Sequence, residues 1–210
     1  MTKDKDDRKR QHLRLVVDNA DKRNARSSAD IEEFIPLEEL CARRNILRGD
    51  FYRALESWQA KAYEVLERYL ERKGWSYGLD PHHGHVMVLP ASVICPSVES
   101  PGATDQDETL LYISDDATGH GLCMTLEMVL PFYSEDDSLM EDALLYAPIF
   151  QYGALFLEEN RQDGFLDLIY RVGFPLYPPA LTDRLLDRFF AVVVFELSET
   201  LRSLTEYPEG

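Results

Sequence analysis

Residues 122–130 read LCMTLEMVL, and this stretch decides the fold class. Large apolar side chains occupy every second position, and Glu127 falls among the residues between them. Because successive side chains of a β-strand point to opposite faces of a sheet, the pattern predicts a strand with one buried and one wetted face. One wetted face is typical of an antiparallel sheet.

Four further segments carry shorter strand patterns bounded by turn-forming residues. Two of them, His85–Leu89 and Thr109–Ser114, precede the alternating stretch, so three predicted strands follow one another in the chain. The other two, Ala154–Leu157 and Phe165–Val172, predict a hairpin. Residues 173–180 contain three prolines and predict an extended connector.

Three amphipathic segments predict the main helices. The first begins near Asp50, a good N-cap residue, and ends at Gly74, which favours a left-handed cap. The second covers residues 138–147, and the third runs from Thr182 to about Leu204. The order of elements, α-β-β-β(-β)-α-β-β-α, predicts an α+β fold with an antiparallel sheet of about five to six strands.

The first part of the chain differs in composition from the rest. We therefore predict a mixed-charge N-terminal extension, helical or disordered, over residues 1–49, an α+β domain over 50–205 and a short tail over 206–210. Residues 31–48 space apolar side chains like a short helix or two, broken at their proline. The apolar run at 13–17 is open to three interpretations, namely an edge strand, a docking segment or a mobile stretch.

The charge distribution limits the partners that the protein can bind. The formal net charge is −16, and residues 74–160 contain fifteen Asp and Glu but no Lys or Arg. A surface without cations cannot neutralise phosphates, so we expect no nucleic-acid partner. No apolar stretch approaches the roughly eighteen residues of a membrane span. Three scattered cysteines suit a reducing compartment, so we expect a cytoplasmic protein that does not enter membranes.

No catalytic or metal-binding motif stands out in the sequence. The candidate ligands for a zinc site are scattered histidines and cysteines: His82, His83, His85, His120, Cys95 and Cys123. Adjacent side chains in a turn diverge, and no second close pair of ligands accompanies them, so we predict no metal and no cofactor. The acidic clusters fall in predicted turns and helix starts, where solvated carboxylates lack the raised pKa of a general acid, so we predict no catalytic residue.

Three stretches together resemble a known family. They are residues 70–77 (LERKGWSY), where a helix turns into a strand, residues 144–157 (LLYAPIFQYGALFL), where helix, glycine and strand follow, and residues 166–170 (LDLIY). Over residues 50–205 the pattern resembles the YbjN group, whose fold is shared with type III secretion chaperones. The resemblance implies an acidic, cytoplasmic, often dimeric body of sheet and helices that binds polypeptide segments and has no catalytic residues. The chain departs from it in the first fifty residues and in the loop at 96–108.

Aromatic residues near the predicted connectors are the candidates for a binding surface, since aromatic side chains make effective interface anchors. The predicted protein-binding residues are Tyr152, Phe174, Tyr177, Phe132 and Phe150. We predict a non-enzymatic, chaperone-like or adaptor module that buries an apolar or amphipathic segment, or the second subunit of a homodimer, on a face of sheet and helix. Two alternatives stay open: a subunit of a larger assembly that docks through its N-terminal arm, and a hydrolase-type enzyme that uses clustered carboxylates or histidines.

Overall fold

The computed structural model describes residues 14–15, 35–94, 108–115, 121–134, 150, 152–159, 166–177 and 181–205. Within these ranges the chain forms four helices, α1 (Leu37–Arg53), α2 (Ser57–Lys73), α3 (Ala91–Ile94) and α4 (Asp183–Thr205). The strands are β1 (Arg14–Leu15), β2 (Gly78–Asp80), β3 (Val86–Pro90), β4 (Glu108–Asp115), β5 (Leu122–Ser134), β6 (Gly153–Glu159) and β7 (Leu166–Leu176). The predicted α+β class is confirmed.

The strands form one antiparallel sheet, in which β2 to β7 follow the order β2-β3-β4-β5-β7-β6 and β1 pairs with β5. The long strand β5 pairs with β4 on one side, where Met128 lies opposite Thr109. On the other side it pairs with β7, where Glu127 lies opposite Arg171. The predicted antiparallel sheet is therefore confirmed. For residues 14–15, the interpretation of the apolar run as a strand holds.

The inner face of the sheet carries the main core, beneath α2 and α4. Alternate residues of β5 are buried there, as the sequence pattern predicts: Leu122, Met124, Leu126, Met128 and Leu130. The helices add Leu70 from α2 and Val193 from α4, among others. The rings of Tyr69 and Phe190, stacked with centroids 5.6 Å apart, join the two helices. Burying each large apolar side chain stabilises the fold by about 1.5–3 kcal/mol, which holds α2 and α4 against the sheet.

Helix α1 covers part of the opposite, outer face. Its residues Leu40 and Leu47 form a second, smaller core with Val86 and Val88 of β3. Gly78 of β2 permits the close approach, because a Cβ at this position would lie 2.4 Å from the Cβ of Leu40. Helix α1 therefore lies over the end of the sheet that β2 and β3 form.

The first predicted helix begins later than expected. Asp50, the predicted N-cap, lies inside α1, because the buried Phe51 continues the apolar side of that helix. Helix α2 begins at Ser57 instead. There the side chains of Glu56 and Gln59 each accept a hydrogen bond from the backbone N–H of the other residue. This capping box satisfies donors that the first turn of a helix leaves without partners.

Strand β7 is longer than predicted. Its backbone pairs with β5 as far as Leu176, which lies opposite Leu122, although the sequence predicts a connector from residue 173. The described pairing between β6 and β7 ends at Val172, so the last residues of β7 have β5 as their one described neighbour. A proline is tolerated on such an edge, which explains why Pro175 does not end the strand.

Several other predictions have mixed outcomes. The left-handed end of α2 at Gly74, with φ 68°, is confirmed. Helix α1 crosses the predicted boundary between residues 49 and 50, and the division into domains stays a prediction. The predicted helix at 138–147 lies outside the described residues, as do nearly all of the loop at 96–108 and the tail at 206–210. Of the helices described, none is both long and apolar enough to cross a membrane.

Candidate functional site

Part of the outer face lies beyond α1 and has no helix over it among the described residues. The residues on this part alternate along their strands with residues of the main core, so they point away from α2 and α4. We call this surface the open face. It consists of two rows of paired residues on β5, β7 and β6: Glu127, Arg171 and Ala154 in the first row, and Val129, Ile169 and Phe156 in the second.

The first row is centred on an ion pair. The Nε of Arg171 donates to the Oε1 of Glu127 at 2.7 Å, and the hydroxyl of Tyr112 on β4 donates to the same oxygen. The guanidinium carbon of Arg171 lies 4.3 Å from the ring centroid of Phe156. Burial and the hydrogen bond to Glu127 raise the pKa of Tyr112 to about 12, so its hydroxyl remains a donor at neutral pH. The row is therefore fixed in place and electrically balanced.

The second row is apolar. Val129 is 51% exposed, although it lies in the middle of the sheet beside the buried Ile169. Phe156, the neighbour on the far side of Ile169, is half-buried. An exposed β-branched side chain next to apolar neighbours offers surface that a further apolar side chain can cover. The open face thus suits the burial of an apolar side chain, and none of its six residues is a nucleophile or an unpaired acid.

The structure does not bring the predicted aromatic residues into one surface. Tyr152 and Tyr177 are 51% and 72% exposed, just before β6 and just after β7. Phe132 lies in β5, where its backbone pairs with β1, and its side chain is outside the described part. It lies eight positions along β5 from Met124, the neighbour of Phe174. At the usual rise of a strand this separation is about 26 Å.

Two of the predicted aromatic residues belong partly to the core. Phe150 and Phe174 are half-buried and pack against the main core. Their ring centroids lie 5.9 Å from the ring of Tyr170 and 6.0 Å from the ring of Phe189, respectively. Ordinary packing accounts for these contacts, and a role of the five aromatic residues in binding stays a prediction.

Glu196 is a buried carboxylate on α4, only 2% exposed. Its oxygens accept hydrogen bonds from the backbone N–H groups of Tyr152 and Gly153, at 2.9 and 3.0 Å, and from the hydroxyl of Tyr170 at 2.7 Å. Burial and the bond to Glu196 raise the pKa of Tyr170 far above its usual range. Glu196 therefore ties the start of β6 to α4.

A second buried carboxylate, Glu67 on α2, joins α2 to α1. Arg48 donates to its Oε2 through two guanidinium nitrogens, both at 3.1 Å, and the hydroxyl of Tyr52 donates to the same oxygen at 2.6 Å. The hydroxyl of Tyr77 donates to Oε1 at 3.2 Å. The cluster borders a cleft of about 490 Å³ between the two helices. Both carboxylate oxygens are thus occupied by donors that connect neighbouring elements.

The positions of Glu67 and Glu196 in the sequence indicate that both carboxylates are buried, although neither the composition nor a motif does so. Glu67 lies four positions after Tyr63 and three before Leu70, which places it on the apolar stripe of α2. Glu196 lies three positions after Val193, on the apolar stripe of α4. A charged residue on a buried stripe needs hydrogen-bond partners, but the stripe alone does not identify the donors.

The turn after β2 contains the predicted histidines. The Oδ1 of Asp80 accepts the backbone N–H groups of His82 and His83 at 2.8 and 3.2 Å, and its Oδ2 lies 2.7 Å from the Nδ1 of His83. Burial alone would raise the pKa of Asp80, but these hydrogen bonds outweigh it and lower the pKa. No three His, Cys, Asp or Glu side chains in the described ranges are placed to hold a metal ion. His120 and Cys95 are outside those ranges, so the absence of a metal stays a prediction.

The comparisons with known proteins concern the fold. No protein-family model and no curated protein matches the chain. Among solved structures, the chain is similar to the crystal structure of YbjN from E. coli, a candidate transcription regulator, with a TM-score of 0.41 and 11% identity. The match covers 66% of this chain and 87% of that chain. It is a likeness of fold only, and the likeness to type III secretion chaperones stays a prediction.

Proposed function

We propose that the protein is a non-enzymatic binding module that holds another polypeptide, or a second copy of itself, on the open face. The observation that carries the proposal is the exposed Val129, which lies among apolar neighbours in the centre of a sheet and has no described helix above it. Apolar residues grouped on an exposed, rigid element mark interaction sites more often than scattered ones do.

The charges of the open face favour a polypeptide over a nucleic acid. Its one cation, Arg171, is already paired with Glu127, and the exposed Glu158 of β6 lies nearby on the same side of the sheet. The whole chain carries a net charge of −16, which repels polyanions. An amphipathic segment could cover Val129 and Phe156 while its cations face the acidic surroundings.

Two binding geometries fit the open face. An amphipathic segment could lie across β5, β7 and β6 and cover the apolar row with its side chains. Alternatively, a second copy could use the same surface in a two-fold symmetric dimer, in which each open face covers the other. In both geometries the partner buries Val129. We also propose that the protein is located in the cytoplasm.

The buried carboxylates support a role without catalysis. Glu67, Asp80 and Glu196 each accept hydrogen bonds from groups that hold neighbouring elements in place. A general acid or base must direct its carboxyl group at a substrate and exchange a proton with it. Since these three groups are engaged within the fold, the binding function is preferred to the hydrolase alternative.

The substitution Val129→Arg tests the proposal, because it places a charge on the open face at a position with room for it. Ile46→Arg is the matched control, since Ile46 is an exposed apolar residue of α1, 74% accessible, on another part of the surface. Sedimentation velocity measures self-association, and affinity capture from a cell lysate measures binding to other proteins. We expect Val129→Arg to abolish either self-association or binding to another protein, whichever the wild type shows. Ile46→Arg should leave that interaction unchanged. If neither depends on Val129, the open face is not a binding surface.

A further inference from the structure

We propose a second binding site, for an acidic polypeptide segment, in a cleft between α2 and the start of α4. The cleft has a volume of about 430 Å³. It lies on the inner side of the sheet, which α2 and α4 cover, whereas the open face lies on the outer side. Its walls combine arginines with apolar and small polar residues: Val65, Arg68, Arg72, Leu181, Thr182, Asp183 and Arg184.

The cleft holds more cations than its own carboxylate can balance. Of the three arginines, Arg72 forms an ion pair with Asp183, the one carboxylate in the lining. Arg68 donates from Nε to the backbone carbonyl of Glu64 in its own helix at 3.2 Å. Among the described residues, neither Arg68 nor Arg184 has a carboxylate within ion-pair distance. Within the described residues, Arg184 and the remaining guanidinium nitrogens of Arg68 therefore have no carboxylate partner and can contact an anionic ligand.

The neighbouring acid on α4 is not available to these arginines. Asp187 is bound by the ammonium of Lys73 at 2.8 Å and by the hydroxyl of Tyr69 at 2.9 Å. These two contacts lower the pKa of Asp187, so it remains ionised and committed to α2. The two ion pairs between α2 and α4 thus use Asp183 and Asp187, the acids of α4 beside the cleft, and neither pair involves Arg68 or Arg184.

The shape of the lining indicates the kind of anion. Val65 is half-buried and Leu181 is buried, so apolar side chains lie among the arginines. A guanidinium group can bind a carboxylate through two parallel hydrogen bonds. A segment with acidic side chains on either side of an apolar one would match both features. A nucleic acid would require a continuous cationic track, whereas the arginines of this cleft cover only a small area.

This inference goes beyond the proposed function. The cleft and the open face lie on opposite sides of the sheet and carry different charges, so a protein with both sites could connect two partners. The two proposals have separate tests, because substitutions in the cleft leave Val129 and its neighbours unchanged.

The test uses the full chain and a short fluorescein-labelled peptide composed of Glu and Leu, with binding followed by fluorescence anisotropy. The double substitution Arg68→Gln and Arg184→Gln removes the surplus charge, and Arg53→Gln, at an arginine of α1 with a 78% exposed side chain, is the matched control. We expect the double variant to bind the peptide about tenfold more weakly or worse, since each lost charge-assisted contact contributes a large part of that factor. The control should bind as the wild type does.

Further measurements distinguish binding of an acidic segment from binding of other anions. A Gln and Leu peptide should not bind, and inorganic phosphate and single-stranded DNA should not displace the acidic peptide. Amide chemical shifts of the wild type should change around Val65, Arg72 and Leu181 when the peptide is added. The proposal is overturned if the wild type does not bind the peptide, if the double variant binds it equally well, or if phosphate or DNA displaces it.

Discussion

A single side chain, Glu196, connects the last helix to the strand at the edge of the candidate surface. The substitution Glu196→Gln keeps the size of the side chain but turns an amide N–H₂ group towards the donors of Tyr152, Gly153 and Tyr170. We expect the free energy of unfolding to fall by about 1–3 kcal/mol, measured by urea denaturation. Tyr170→Phe removes one donor only and should reduce it by about 0.5–1.5 kcal/mol. If neither substitution changes the free energy of unfolding, the assigned role of Glu196 is contradicted.

Gly153 illustrates a residue that packing requires rather than backbone conformation. A Cβ at this position would lie 2.4 Å from the ring of Tyr170 and 2.7 Å from a carboxylate oxygen of Glu196. We expect Gly153→Ala to destabilise the protein by about 1–3 kcal/mol in thermal or urea unfolding. Gly49→Ala is the control, since nothing lies within 4 Å of the added atom in α1, and it should stabilise the helix by about 0.5–1 kcal/mol. A harmless Gly153→Ala change would show that β6 does not lie against Glu196.

The pH dependence of stability reports on Asp80. Its pKa is lowered in the folded state, so the unfolded chain, with a pKa near 3.9, binds the proton more readily. The stabilisation is therefore fully present above about pH 4 and is lost as the pH falls through the lower, folded value. Urea unfolding at a series of acidic pH values should show a shallower pH dependence for Asp80→Asn than for the wild type. Parallel pH profiles would indicate that the hydrogen bonds from the turn do not stabilise the carboxylate.

At the scale of elements, α1 is part of the folded body. A chain that begins at Glu56 lacks Leu40 and Leu47, which cover Val86 and Val88. The loss of the two leucines should lower the free energy of unfolding by about 3–6 kcal/mol, measured by thermal or urea unfolding. A chain that begins at Ile35 keeps α1 and serves as the control. If the shorter chain is as stable as the longer one, α1 is an accessory segment, as the predicted division at residue 49 implies.

Strands β3 to β7 and the last helix were predictable because the buried face of each element leaves a pattern of apolar residues in its own sequence. In β5 and in α4, one face of the element packs on the core. The spacing of apolar residues in the sequence therefore shows directly which residues are buried. The start of α2 was not predictable in the same way, since Phe51 continues the apolar side of α1 and the capping box uses Glu56, an uncommon N-cap residue. The extension of β7 beyond Val172 depends on pairing with β5, which lies far away in the chain.

At the scale of the whole molecule, the sheet and the helices carry different charges. Arg171 is the one cation on strands β2 to β7 in the described ranges, whereas α1, α2 and α4 carry several each. The sequence shows the cation-free stretch at 74–160, but it does not show that Arg68 and Arg184 line one cleft. Nor does it show that Val129 lies beside Ile169. Both arrangements come from tertiary packing, which brings distant elements together and which local patterns do not encode.

The claim that the open face binds a polypeptide is tested most directly by site-specific photo-cross-linking. A photoreactive amino acid replaces Val129 in one variant and Arg53, a highly exposed residue of α1, in the other. After irradiation in cells, mass spectrometry identifies the polypeptide joined to each position. We expect discrete adducts from position 129, either to another protein or to a second copy of this chain, and none of them from position 53. No adduct from position 129, or the same adducts from both positions, would contradict the proposed function.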